Sequence, residues 1–428
     1  MSIDNLSPDS FPSSWRVKPL GQFAANRPPT INPDRYPDEQ FEYYSIPAYQ
    51  DRKSPVLTRG SEIGSAKLLF ESRTVLFGKL NPRVEKVWRV GNYTASRKIG
   101  STEWLPLVPR DDVDEEFLYF LMWSEHVMPK AKKMVSGSTP SRQRVDPRSF
   151  YRIEAPLPPL PEQRKIASVL GLVQRAIEQQ ERLIALTTEL KKSLMHKLFT
   201  EGLLGERQKQ TEIGPVPESW DVVKLEDVCE FISGGTPSKQ NDRFWVGSIP
   251  WVSPKDMKRP RLSDVTDHIS ETALEDGSAL APAGSVFVVV RGMILAKDVP
   301  VALAEVPMAF NQDMKAVVPG LRILPSYLLC AMVAFKKNLF IKVGRSAHGT
   351  MTLLSREIER FLIPLPDKRT QGQIAHAIAT VEQKNEQHRR KRDSLTDLFR
   401  TLLHQLMTAQ IRVHDVDLSF LEKETIVS

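Results

Sequence analysis

Ala155-Pro156-Leu157-Pro158-Pro159-Leu160-Pro161-Glu162-Gln163-Arg164-Lys165-Ile166-Ala167 leads directly into a long stretch without proline. Closely spaced prolines fix φ and remove backbone donors, so the first part of this string cannot be helical throughout. The chain beyond Ala167 has no such obstacle. The string therefore marks a boundary between a globular segment and a helix. It also has an echo. Pro156-Leu157-Pro158, Gln163 and Ile166-Ala167 correspond to Pro364-Leu365-Pro366, Gln371 and Ile374-Ala375 at a constant offset of 208. The same offset carries through Leu190 with Leu398, Leu194 with Leu402, His196 with His404, Leu198 with Leu406 and Thr200 with Thr408.

Upstream, Pro12, Ser14, Trp15, Val17 and Leu20 match Pro217, Ser219, Trp220, Val222 and Leu225 at an offset of 205. Between these blocks Glu103, Val108 and Pro109 fall opposite Asp313, Val318 and Pro319 at 210. Offsets this steady mean one unit of about 205 residues used twice. Each copy opens with short β-type runs, such as Val75-Leu76-Phe77-Gly78 or Val286-Phe287-Val288-Val289, with a helical pattern after them over 116–128 or 326–337. The expected class is α+β, with globular domains over 11–155 and 216–363. Helices are expected over 156–203 and 364–411, with a linker over 204–215 and a tail over 412–428.

In the first helix Val169, Val173, Leu183, Leu190, Leu194 and Leu198 recur in steps of three and four, with Ala176, Gln180 and Thr187 between them. In the second, Ile374, Ile378, Val381, Leu395, Leu402 and Leu406 do the same around a polar middle of Asn385, His388 and Arg392. Such spacing predicts a coiled-coil seam. Two equal helices with short connections are expected to run antiparallel and separate the two domains in a pseudo-twofold repeat.

The chain has 428 residues, 41% hydrophobic and 26% charged, which excludes wholesale disorder. Two cysteines, Cys229 and Cys330, supply neither a disulfide framework nor a zinc site. The first ten residues lack a leader pattern and no apolar run approaches ~20 residues, so a cytoplasmic protein without a membrane partner is expected. Lys plus Arg number 59 against 52 acids, a net charge of +7.

Basic residues gather in both globular segments. The first carries Lys67, Arg73, Lys79, Arg83, Lys86, Arg89, Arg97 and Lys98, then Lys132, Lys133, Arg142 and Arg144. The second carries Lys255, Lys258, Arg259 and Arg261, then Lys342 and Arg345. Charges of this kind neutralise phosphates, which gives affinity but no sequence discrimination. Reading bases needs side chains with Arg-guanine or Asn/Gln-adenine geometry. The candidates are Asn81, Arg83, Arg142, Gln143 and Arg144 in the first domain, and Asn241, Arg243, Arg291, Asn311 and Gln312 in the second. The turns Ser136-Gly137-Ser138-Thr139 and His348-Gly349-Thr350 offer backbone donors to phosphates.

The doubled Pro-Leu-Pro string, the Pro-Ser-Trp openings and Ile249-Pro250-Trp251-Val252 resemble the specificity subunit of type I restriction-modification systems. The resemblance covers nearly the whole chain. It implies two target recognition domains, each reading one half of a split, asymmetric sequence in double-stranded DNA. It also implies helices that set the gap and dock two modification (methyltransferase) subunits. Restriction subunits would then join. This chain would be non-catalytic and bind no cofactor; S-adenosylmethionine and ATP with Mg would be used by the partners. The second copy departs from the family pattern, with Asp367-Lys368-Arg369-Thr370 replacing the second Pro-Leu and the Glu.

Enzyme motifs are poorly supported. Asn81-Pro82-Arg83-Val84 lacks the second proline and aromatic residue of an adenine methyltransferase motif, Glu189-Leu190-Lys191 sits in mid-helix, and no Walker A loop is present. The eight histidines show no metal-ligand spacing, so no metal is expected. Two alternatives remain: a helical scaffold whose domains bind proteins, and the recognition part of a related methyltransferase-nuclease system.

Overall fold

A computed structural model describes residues 11–25, 28–51, 53–137, 139–346 and 349–413. The turn residues Ser138 and His348 and the expected tail beyond Val413 lie outside the described residues. Two helices dominate, a central one at Leu160–Glu201 and a C-terminal one at Lys368–Met407. The chain divides into two compact units inside both helices. One comprises residues up to Glu181 with those from Arg390 onward, the other Arg182–Arg389.

In the first unit a four-stranded sheet runs in the order Ala24–Ala25, Trp104–Pro109, Val75–Gly78, Val87–Arg89. All four residues of Val75–Gly78 are buried. Because side chains alternate along a strand, Val75 and Phe77 enter one core while Leu76 enters a second with Trp88 and Trp104. A five-stranded sheet takes the order Thr30–Ile31, Lys67–Phe70, Lys98–Gly100, Gln40–Tyr44, Val56–Arg59. The helical run expected over 116–128 is split: Glu115–Trp123 is capped by Asp114, and a second helix starts at Met128.

The second unit repeats the plan. Cys229–Ser233, Met314–Pro319 and Val286–Val289 stand side by side, extended by Val301–Ala304 and Arg261–Leu262. The helix Pro325–Phe340 lies on this sheet. The register is preserved between copies: Pro109 faces Ala24 as Pro319 faces Cys229, and Leu105 faces Phe77 as Lys315 faces Val288. The Trp-containing openings also agree, since Arg16–Pro19 pairs with Glu154–Leu157 and Asp221–Lys224 with Leu362–Leu365. The stretch 204–215, expected as a linker, contains the strand Gln208–Thr211, which forms a hairpin with Gly214–Pro217.

Within the second unit the two helices run antiparallel. Asn385 donates to Thr187 Oγ1 at 2.6 Å and to the Ile184 carbonyl at 3.0 Å, and Lys191 pairs with Glu382 one turn away. Leu198, Ile374 and Ile378 sink into the domain core rather than into a helix-only seam. In the first unit Val169 and Leu406 do likewise, with Leu402 against them. Val173 is buried, while Leu183, Leu194, Val381 and Leu395 are half-buried. Leu190 is 54% exposed and corrects the expected seam. The contact row passes through Thr187 and Lys191, a step of four where the seam assumed three. Leu398, its partner in the repeat, is likewise exposed.

Candidate nucleic-acid interface

The strand Val75–Gly78 delivers the loop Lys79–Arg83 to the end of the four-stranded sheet. There the Lys79 amide donates to the Glu103 carbonyl at 3.0 Å, and the Asn81 amide donates to the Gln143 carbonyl at 2.8 Å. Gln143 lies in the hairpin formed by Val135–Ser136 and Arg144–Val145, which an isolated bridge joins to Leu80. Two candidate segments more than fifty residues apart in sequence thus form one surface. Arg83, Lys132, Lys133, Arg142 and Arg144 are exposed on it, and Lys79 is half-buried. Asn81 adopts φ 47°, and its Oδ1 is buried without a hydrogen-bond partner among the described residues. Gln143 Nε2 donates to the Gly137 carbonyl at 3.3 Å.

The second domain builds the same constellation from different residues. The Val290 and Arg291 amides donate to the Asp313 carbonyl at 2.8 and 3.2 Å, as Lys79 does to Glu103. The hairpin Gly344–Arg345 with Met351–Thr352 is bridged to Arg291. The matched acids Glu103 and Asp313 therefore occupy one structural position. Arg144 forks onto Glu103 with Nε and Nη2 at 3.0–3.2 Å, whereas Arg291 Nη1 stands 3.9 Å from Asp313. Asn311 and Gln312 complete the cluster: Asn311 Oδ1 accepts the Asp313 amide, and Gln312 accepts from the Thr236 hydroxyl. Arg291, Gln312, Lys342 and Arg345 are exposed. The expected turn at Gly349 spends its amide on the Ser346 carbonyl.

Other candidates are occupied elsewhere. Asn241 caps the short helix Asp242–Trp245 through the Arg243 amide. Lys255 is held by Asp267 at 2.6 Å, which raises its pKa, and Arg261 faces Glu305 at 3.8 Å. Lys132 is paired with Glu85. Arg243, Lys258 and Arg259 are exposed. Much of the basic run in the first domain is structural. Lys67, Lys86 and Lys98 are buried, and burial lowers the pKa of Lys67 and Lys86. Lys86 Nζ donates to the Asn81 and Val84 carbonyls, so it props the loop from behind. Arg97 is forked onto Glu39, and Arg73 and Arg89 face Glu115.

The internal repeat aligns one further pair whose role the sequence does not reveal. Gln163 and Gln371 are fully buried in the first turn of each long helix. Gln163 Oε1 accepts the Asp114 amide at 2.8 Å, while its Nε2 donates to the carbonyls of Asp112 at 2.9 Å and Pro158 at 2.8 Å. Gln371 does the same with Leu324, Arg322 and Pro366 at 2.9, 3.1 and 2.8 Å. Each glutamine stitches the start of a long helix to the residue that begins its domain's own helix. The altered second string is compatible with this, because Asp367 caps the C-terminal helix through the amides of Arg369 and Thr370.

Both cysteines are free and buried, which pushes each thiol up to about 12. Among the described residues no three His, Cys, Asp or Glu side chains group to hold a metal, and no helix is long and apolar enough to cross a membrane.

The family model for the type I restriction modification DNA specificity domain matches residues 217–397. The chain is 32% identical over 245 residues to the type I restriction enzyme EcoR124I/EcoR124II specificity subunit of Escherichia coli, covering 55% of this chain and 57% of that one. The chain is thus similar to type I restriction enzyme specificity subunits. The chain thus spans little more than half of that relative. Against the MjaVIII specificity subunit of Methanocaldococcus jannaschii it is 22% identical over 432 residues, 95% of each chain. The crystal structure of a type I restriction-modification S subunit from M. genitalium superposes with a TM-score of 0.61 at 15% identity, covering 95% of this chain and 98% of that one. That likeness carries the specificity-subunit fold, an α+β chain with two domains and two long helices.

Proposed function

We propose that this specificity subunit reads double-stranded DNA with the two loop-and-hairpin clusters, each taking one half of a bipartite, asymmetric target. The observation that carries the proposal is the repetition: one backbone constellation, built twice, presents different side chains at equivalent positions. Asn81 and Arg83 stand in one copy where Gly292 and Ile294 stand in the other, as two half-sites of different sequence require. Exposed guanidinium and ammonium groups around each cluster suit phosphates.

In this reading the long helices set the gap and dock two modification subunits, which methylate adenine with S-adenosylmethionine. Restriction subunits using ATP and Mg join the assembly, and the chain itself supplies recognition in the cytoplasm without bound cofactor. Mapping methylation in the host with and without this gene tests the proposal. Loss of one bipartite adenine motif is the expected result, and exchanging residues 216–350 should change one half of that motif only. An unchanged methylation map, with no duplex binding at low salt, would favour a protein-binding scaffold.

A further inference from the structure

The loop after the central strand of each domain begins alike. Leu80 and Arg291 are each bridged to the neighbouring hairpin, and each precedes a residue with positive φ, Asn81 at 47° and Gly292 at 132°. The copies then diverge. In the second domain the short helix Met293–Ala296 is anchored by Leu295, which is fully buried, while Met293 is 62% and Ile294 42% exposed at its tip. The Gly292 amide ties the turn to the Met351 carbonyl at 3.0 Å, and the Leu295 amide closes it on the Gly292 carbonyl at 3.1 Å. Exposed Arg291 and Lys297 flank the tip, and exposed Arg345 lies in the bridged hairpin.

Two large apolar side chains on a braced turn, ringed by cations, match the chemistry of a wedge. Apolar residues such as Met and Ile press between base pairs and partly unstack them, while cations hold the flanking phosphates. We infer that Met293 and Ile294 form such a wedge, which opens one base step in the half-site read by the second domain. The inference rests on the DNA-reading role proposed above. A wedge selects sequence through deformability, so the opened step should favour pyrimidine-purine, which unstacks most easily. Part of the half-site would then be specified without a hydrogen bond to a base.

The test uses the full chain assembled with its modification subunits, and duplexes carrying the motif recovered from the methylation map. A fluorescent purine analogue is placed at successive positions of the half-site. The wild-type complex should raise its fluorescence at one step. Met293→Ala with Ile294→Ala should abolish that rise and weaken binding about tenfold, equivalent to about 1.4 kcal/mol, with the salt dependence unchanged. Both positions are exposed, and Met293→Leu should retain the signal, which separates the wedge from a folding defect. Arg345→Ala should do the converse, lowering the salt slope by about one while the fluorescence rise persists. A wild-type complex that binds no duplex overturns the DNA-reading role itself. Normal binding without a fluorescence rise, or an alanine variant that keeps both, overturns the wedge alone. Loss of modification-subunit assembly with DNA binding intact would overturn it in favour of a protein contact.

Discussion

Replacing Gln163 with alanine should loosen the first unit and leave the second as it was; replacing Gln371 should do the reverse. Each side chain is itself buried and makes three hydrogen bonds, all to backbone groups of its own unit. At about 1 kcal/mol for each bond lost, the expected cost is about 3 kcal/mol. For units of this size that lowers the melting temperature by roughly 6–12 °C. Hydrogen exchange monitored by mass spectrometry resolves the units separately. In Gln163→Ala the Asp114 amide should lose protection first, with the start of the helix Glu115–Trp123; in Gln371→Ala the same should happen at Leu324. Gln163→Glu keeps the acceptor for Asp114 but sets a carboxylate oxygen against the Asp112 and Pro158 carbonyls, so it should be at least as damaging. A Gln163→Ala protein within about 1 kcal/mol of wild type, or one losing protection equally in both units, would refute the stitching role.

The geometry sets three further expectations. Arg83→Ala should lower the slope of log affinity against log salt by about one, whereas Lys86→Ala should leave the slope unchanged and destabilise the fold, because Lys86 points inward. Arg412 forks onto Glu162 at 2.9 and 3.1 Å, and Glu162 also accepts from Trp15 Nε1 at 3.0 Å; Arg412→Ala should cost about 2 kcal/mol and shift Trp15 fluorescence. His126 is buried with Nε2 on the Met407 carbonyl, and burial holds its pKa below the usual 6.5. The folded state favours its neutral form, so its contribution is complete above pH 6.5 and is lost as the pH falls toward the folded pKa. Denaturant melts of the first unit at pH 7.5 and 5.5 should differ less in His126→Gln.

The repeat was legible because backbone architecture kept its anchors: Trp15 and Trp220, Gln163 and Gln371, Glu103 and Asp313 mark equivalent positions in both units. The hairpins at 135–145 and 344–352 were not legible as equivalents, because what relates them is a bridge to the preceding loop and not shared residue types. Charge was the poorest guide. Lys67 and Lys98 look like phosphate contacts in a run of basic residues, but they lie in strands of the five-stranded sheet, where both are buried. Leu190 misled because leucine spacing of three or four fits either side of a helix, and it is Asn385 against Thr187 and Lys191 opposite Glu382 that show which side meets its neighbour.

The division of the chain inside its helices has a consequence for synthesis. All of Arg182–Arg389 is contiguous, so that unit has every core residue once Ile378 has left the ribosome. The first unit begins earlier but needs Leu406, Met407 and Val413 to close its core. Its first 181 residues must therefore wait, with an apolar face uncovered, while more than two hundred others are made. The part translated first is the last to finish folding, and a message cut short near Arg390 would yield one complete unit beside one that is exposed to chaperones and proteases.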